Sequence, residues 1–283
     1  MSKPVAFPLE AEDVPFSPTD VLKGVHPDWR YSNQPGRLTV ECQGDAEILR
    51  FYGSRRSDSK PPIIYLSGDV VERCDLGFRV RPGYENASPA TLQFEAASLS
   101  SSKERTFVFL ARPGIYGSSG NHMHRRRLRE ICLVDRAISR LSDAFGWAQI
   151  DLAGLSGGGH LAACLLARRK DVRHTVIASG NIAVGERLRL LGLQRDVTGF
   201  EDFVDPITQV NQIAANKVGK LVLLTDPEDQ VVPASVQMAF AASLREAGAD
   251  FDHHFVSAPQ SGNHILYDDM LSAIFALGET QGK

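Results

Sequence analysis

The sequence predicts an α/β protein with a mostly parallel central sheet, helices on both faces, an N-terminal β-hairpin and at most a small lid. Three observations carry this. Unbroken apolar runs such as Ile63-Ile64-Tyr65-Leu66 and Phe107-Val108-Phe109-Leu110 have the character of strands buried on both faces. Between such runs lie segments whose apolar residues recur at helical spacing, as Leu128, Ile131, Val134, Ile138, Leu141 and Phe145 do. Finally, Ile150-Asp151-Leu152-Ala153-Gly154-Leu155 reaches Ser156 and turns at once into the helical pattern Gly157-Gly158-Gly159-His160-Leu161-Ala162-Ala163.

Composition agrees with a globular chain. Of 283 residues, 43% are hydrophobic and 23% charged, enough apolar material for a large core. Lysine and arginine total 31 against 34 acids, a net charge of -3, which offers no electrostatic footprint for nucleic acid. The opening residues lack an export-type apolar core and no run approaches a membrane span, so no membrane partner is expected. Cys42, Cys74, Cys132 and Cys164 show neither metal-ligand nor disulfide-framework spacing, which makes a reduced cytoplasmic protein the expectation. Cys164 reads as a small buried hydrophobe.

In chain order, residues 1–36 contain six prolines and read as an extended arm over the surface. Phe7, Phe16, Trp29 and Tyr31 in it are candidates to pack on the domain or on a second subunit, a route to a homo-oligomer. One domain is expected over residues 37–283. It starts with a β-hairpin, Leu38–Cys42 and Ala46–Tyr52 about Gln43-Gly44-Asp45. After the strand at 63–66 comes an irregular stretch, then a helix over about 89–101 and a strand at 106–111. Arg112–Gly120 is too glycine-rich to be regular. The helix of about six turns then leads to the Ser156 strand. A strand over 174–179 precedes some forty residues, 180–219, the one place for a lid, with a short helix expected near 188–193. A strand at 220–225, a helix over about 233–248, a strand at 251–256 and a helix over about 265–277 complete the chain. Strands alternating with helices place ligands at the strands' C-terminal ends.

Gly154-Leu155-Ser156-Gly157-Gly158 is a G-x-S-x-G turn. The serine is held in a strained conformation between strand and helix, and the flanking glycines keep neighbouring backbone clear. Alone the pattern is weak, because glycine and serine are common turn residues; the strand before it and helix after it supply the context it requires. A serine hydroxyl needs an adjacent base, and the base an orienting carboxylate. Two later loops offer these. After the strand ending at Thr225 the chain reads Asp226-Pro227-Glu228-Asp229-Gln230-Val231-Val232-Pro233, and after the last strand Ser257-Ala258-Pro259-Gln260-Ser261-Gly262-Asn263-His264. Any of the three acids could instead be a solvated loop group, with Asp226 the reserve for the role because it directly follows the strand. His253 and His254 lie inside the strand pattern, whereas His264 follows a glycine-containing loop.

On these residues the chain resembles the α/β-hydrolase superfamily, nearest its esterase and prolyl-oligopeptidase-like (dienelactone-hydrolase-like) members, over residues 37–278. Those families commonly carry Asp-x-x-Val-Pro and Gly-x-x-His or similar loops where Asp229-Gln230-Val231-Val232-Pro233 and Gly262-Asn263-His264 stand. The resemblance implies Ser156 as nucleophile, Asp229 as acid and His264 as base. For the oxyanion hole it implies the Gly157 amide and a donor from the loop after the third strand. There the usual His-Gly-x is replaced by Ser67-Gly68-Asp69, so the Asp69 amide is the expected second donor although the loop-shaping histidine is missing. The loop Arg112–Gly120 resembles Arg-Pro-Gly-x-Gly-x-Ser segments of the superfamily, making Gly114, Ile115 and Tyr116 candidates for substrate contacts or a substitute donor; the bland alternative is a tight turn supporting the sheet. His122-x-His124 lacks a third ligand nearby, and with Arg125-Arg126-Arg127 it reads as a solvated helix start.

The expected function is hydrolysis of a small-molecule carboxylic ester through an acyl-enzyme, with no cofactor and no metal. A peptidase or amidase acting on short peptides is the nearest alternative, and a non-catalytic binding protein retaining the fold is one of a different class.

Overall fold

The computed structural model describes residues 6–8, 11–56, 60–75, 77–216, 219–260 and 262–279. Among them eight strands, including β3 (Ile63–Leu66), form one sheet in the order β1-β2-β6-β3-β7-β8-β9-β10, and β4 and β5 form a separate two-stranded ribbon. The chain packs as two compact units, residues 1–64 with 69–148 and residues 65–68 with 149–283.

In the first unit, β1 (Arg37–Cys42) and β2 (Asp45–Ser54) pair antiparallel from Arg37 opposite Arg50 to Cys42 opposite Asp45. Gln43 and Gly44 alone make the turn, both at positive φ, the backbone twist that suits a two-residue hairpin. β6 (Phe107–Leu110) runs antiparallel to β2. α2 (Pro89–Ser102) begins with a reciprocal cap: Ser88 Oγ accepts from the Thr91 amide and Thr91 Oγ1 from the Ser88 amide, with Pro89 in the first turn where no donor is missed. α3 (Leu128–Phe145) buries Ile131, Val134, Ile138 and Leu141 completely, as its spacing requires, at about 1.5–3 kcal/mol for each such side chain.

The second unit holds β7 (Ile150–Leu155), β8 (Val172–Ala178), β9 (Lys220–Thr225) and β10 (Asp252–Phe255), parallel throughout. With them come α4 (Gly157–Leu166), α5 (Val184–Leu190), α6 (Val210–Ala215), α7 (Ala234–Glu246) and α8 (Tyr267–Leu277). All ten residues of α4 are buried, so its nearly unbroken small and apolar sequence reflects a central position. Asp151, fully buried on β7, accepts two bonds from the Arg173 guanidinium and one from the His174 amide, which ties the beginnings of β7 and β8 together.

Four readings of the sequence are corrected. The arm is not simply extended: α1 (Pro18–Lys23) forms within it and Val25 bridges to Gly120. Its Phe7 packs against Phe51, Phe145 and Trp147, and Phe16 against Tyr84 and Tyr116, so these two rings serve the chain's own core, while Trp29 and Tyr31 stay exposed. The stretch read as irregular contains β4 (Val71–Cys74) and β5 (Gly77–Val80), an antiparallel ribbon too short and too exposed to show a clear pattern. Cys42 on β1 and Cys132 on α3 are joined by a disulfide across 90 residues, at odds with the expected reduced protein. Arg125 and Arg126, read as part of a solvated helix start with His122, are buried, and so is His122. Cys164 is buried, as expected, and no described helix is long and apolar enough to cross a membrane.

Candidate active site

Ser156 sits between β7 and α4 at φ 54°, ψ -113°, a conformation that side-chain-bearing residues adopt only under constraint. The constraint is visible in its neighbours. Its amide donates to the Ala178 carbonyl at 2.8 Å, while its carbonyl accepts from His160 at 3.2 Å and Asn181 at 3.4 Å. The glycines are required by close approach: a Cβ on Gly154 would lie 2.5 Å from the Gly158 carbonyl oxygen, and one on Gly158 would lie 2.0 Å from that of Leu66. Gly68 lies against Ser156 itself, where a Cβ would come 3.2 Å from Ser156 Cβ and 3.8 Å from its Oγ.

The loops after β9 and β10 meet at this serine. Ser156 Oγ is 2.8 Å from His264 Nε2, and His264 Nδ1 is 2.7 Å from Asp229 Oδ2. A carboxylate can only accept, so Nδ1 carries the imidazole proton and Nε2 is left to accept from the serine hydroxyl. Asp229 is held in turn, since its Oδ1 accepts from the Val231 and Val232 amides at 2.8 and 2.9 Å. The Gln230 amide donates to the Gly262 carbonyl, joining the acid loop to the histidine loop. All three side chains are buried, Ser156 being 5% and His264 2% exposed.

The other candidates have different hydrogen-bond partners. Asp226 Oδ1 accepts from the Glu228 amide at 2.7 Å and Oδ2 from Ala258 at 2.6 Å, so this carboxylate shapes the two loops. His253 is half-buried with Nε2 at 2.9 Å from Thr225 Oγ1, and His254 is exposed. The Gly114, Ile115 and Tyr116 amides donate to the Ser119 carbonyl, the Arg112 carbonyl and the Tyr84 hydroxyl respectively. The first two of these bonds close the turn on itself, and the third ties it to Tyr84. The Tyr116 phenol, packed against Phe109, Tyr84 and Phe16, is pushed by burial up to about 12 and stays protonated.

By contrast, the Gly157 amide opens α4, and neither it nor the Asp69 amide donates to any group among the described residues. The side chain of Asp69 is heavily engaged. Its Oδ1 accepts from Arg112 Nη1 at 2.8 Å, and its Oδ2 from Arg125 Nε at 3.0 Å and Arg126 Nη1 at 2.5 Å. Glu130 on α3 extends the cluster, accepting from Arg112 Nε at 2.9 Å and the Arg126 amide at 2.6 Å. Burial pushes the Asp69 carboxyl up, but the guanidiniums of Arg126, Arg125 and Arg112 outweigh it and hold the group well below the usual carboxylate range. Burial, then the same cations, drives His122 well below the ordinary histidine value, so it is neutral. Sequence reasoning missed this cluster, whose only signal was the arginine run itself. Among the described residues no group of three or more His, Cys, Asp and Glu side chains is arranged to hold a metal ion.

No family model matches the sequence, and no curated protein is significantly similar to it. Solved structures are similar in fold. The Pyrococcus furiosus esterase Pf2001 superposes with a TM-score of 0.58 at 12% identity, covering 96% of this chain and 97% of that one. The Pyrococcus horikoshii acylaminoacyl peptidase gives 0.56 at 14% identity, over 79% of this chain and 37% of that one. VinJ gives 0.55 at 15% identity, over 86% of this chain and 98% of VinJ. This chain therefore spans about two fifths of the length of the acylaminoacyl peptidases it matches. The fold is that of the α/β hydrolases.

Proposed function

We propose that this chain, an α/β-hydrolase fold carrying Ser156, His264 and Asp229 in one hydrogen-bonded line, is a serine hydrolase that cleaves a small-molecule carboxylic ester. Ser156 Oγ attacks the ester carbonyl carbon as its proton passes to His264 Nε2. Asp229 stabilises the resulting imidazolium and keeps the ring oriented. The tetrahedral intermediate collapses when His264 returns the proton to the leaving alkoxide, leaving the acyl group on Ser156. Water then attacks the acyl-enzyme with His264 as base, releasing the acid and restoring the serine hydroxyl. In both halves the oxyanion is received by the Gly157 amide at the start of α4 and by the Asp69 amide, a pair of donors worth a few kcal/mol each. Their lack of partners within the described residues supports this assignment.

The observation that carries the reading is the relay itself: 2.8 Å from Ser156 to His264 and 2.7 Å onward to Asp229, the distances over which a base takes a hydroxyl proton. A fluorophosphonate probe tests it. Labelling at neutral pH that disappears in Ser156→Ala is expected; absence of Ser156-dependent labelling refutes both the hydrolase and the ester assignment and leaves a binding protein that keeps the fold. Likeness to acylaminoacyl peptidases supports a second reading, cleavage of short peptides. Aryl esters turned over far faster than matched aminoacyl anilides decide for the first.

A further inference from the structure

The loop that supplies the second oxyanion donor poses a mechanical problem. Gly68 has no side chain, lies against Ser156, and by itself leaves its backbone the widest conformational freedom of any residue. A donor on the Gly68–Asp69 peptide stabilises an oxyanion only if it is held within a few tenths of an ångström. The histidine that precedes the glycine in the resembling families is here Ser67.

The residue on the other side of Gly68 is the anchored one. Three arginines converge on the Asp69 carboxylate, Arg112 from the end of β6 and Arg125 and Arg126 from the turn preceding α3, each no more than 2% exposed. Bonds between ionised groups in such a dry setting are short, strong and directional. Glu130 fixes two of the three arginines in its turn, one through the guanidinium and one through the backbone. A buried ionic cluster is a poor way to gain stability, because apolar side chains of similar volume would serve as well or better; its advantage is a defined geometry.

Resting on the hydrolase reading above, we propose that Asp69 and its cage of Arg112, Arg125 and Arg126, braced by Glu130, are positioning residues that hold the Gly68–Asp69 peptide so that its N–H serves as the second oxyanion donor. The side chains touch no substrate and act through the backbone amide they immobilise. The effect belongs to the transition state, because the developing negative charge on the carbonyl oxygen is what needs the donor.

The test is steady-state hydrolysis of 4-nitrophenyl butyrate by wild type, Asp69→Asn and Arg125→Lys, measured well below each variant's melting temperature. Loss of a whole oxyanion donor costs about 10²–10³ in kcat, so a loosened one in Asp69→Asn lowers kcat by about 10- to 100-fold while KM moves by less than about threefold. Affinity for an aryl trifluoromethyl ketone, whose adduct places an oxyanion at the same donors, falls by a similar factor. The pH at which kcat/KM falls on the acid side stays in place, because the bonds of His264 to Ser156 and Asp229 are untouched. Arg125→Lys keeps a cation but loses the Nε bond, and shows a smaller loss of the same kind; if Asp69→Asn does not fold, this variant alone decides. Reduced melting temperature with unchanged kcat and ketone affinity overturns the proposal, as does a loss confined to KM. Wild-type protein without Ser156-dependent turnover would instead refute the hydrolase reading on which the proposal rests.

Discussion

Replacing Asp229 by asparagine separates the roles of the two acids in the loop after β9. Oδ1 of Asp229 accepts from two buried amides, those of Val231 and Val232. In Asp229→Asn the amide oxygen must keep that place, because turning the NH2 group toward two N–H donors would strand both, at about 1–3 kcal/mol each. The NH2 group therefore faces His264 Nδ1 and donates to it. The imidazole proton is then on Nε2, the nitrogen that has to accept from Ser156, and the base is held in the wrong tautomer. The expected loss in kcat is about 10⁴-fold, or about 5 kcal/mol, with the fold retained. Asp226→Asn is the contrast. Among the described residues its carboxylate oxygens serve only the Glu228 and Ala258 amides, so one donor loses its acceptor and stability falls by about 1–3 kcal/mol while kcat changes only a few-fold. Ester hydrolysis under saturating substrate together with thermal melts reads both quantities. A larger kcat loss in Asp226→Asn than in Asp229→Asn would refute the reasoning.

Gly158→Ala should fail to accumulate as folded protein or melt far below wild type, since its methyl would meet the Leu66 and Ser67 carbonyl oxygens at 2.0 and 2.7 Å and backbone cannot step aside as a side chain can; circular dichroism and soluble yield check this, and a wild-type melt would count against the close packing of the G-x-S-x-G turn. Reducing the Cys42–Cys132 bond, or Cys42→Ser with Cys132→Ser, should lower unfolding free energy by about 2–5 kcal/mol, because the bond closes a loop of about 90 residues in the unfolded chain. Denaturant titrations of oxidised and reduced protein measure it.

Much of the second unit was legible in the sequence because its signals are local. A strand buried on both faces is apolar along most of its length, which is why β7, despite the paired Asp151, and β9 could be read from composition. The G-x-S-x-G turn is likewise written where it acts, and the loops ending at Asp229 and His264 could be singled out by their position after strands. What local pattern does not contain is the choice among three acids in one loop. That choice rests on where Val231, Val232 and Ala258 present their amides, which depends on how two loops 35 residues apart fold against each other.

The first unit shows the limit from the other side. Arg125-Arg126-Arg127 looks like a hydrated charge run, since charged residues are seldom buried without a partner. The partner of Arg125 and Arg126 is Asp69, 56 and 57 positions earlier, and nothing near the arginines announces it. Cys42 and Cys132 are equally mute about each other until β1 and α3 pack, and the ribbon of β4 and β5 has strands of four residues, too few to establish a period. By itself, then, the amino-acid sequence determined the alternation of the main strands and helices, the G-x-S-x-G turn at Ser156 and the three residue types of the hydrogen-bonded line, all set by backbone sterics and by spacing along the chain. Tertiary structure alone decided which carboxylate faces His264, which amides are left without partners, and that three buried arginines close on Asp69, because hydrogen bonds and ion pairs are formed between groups that only folding brings within 3 Å of one another.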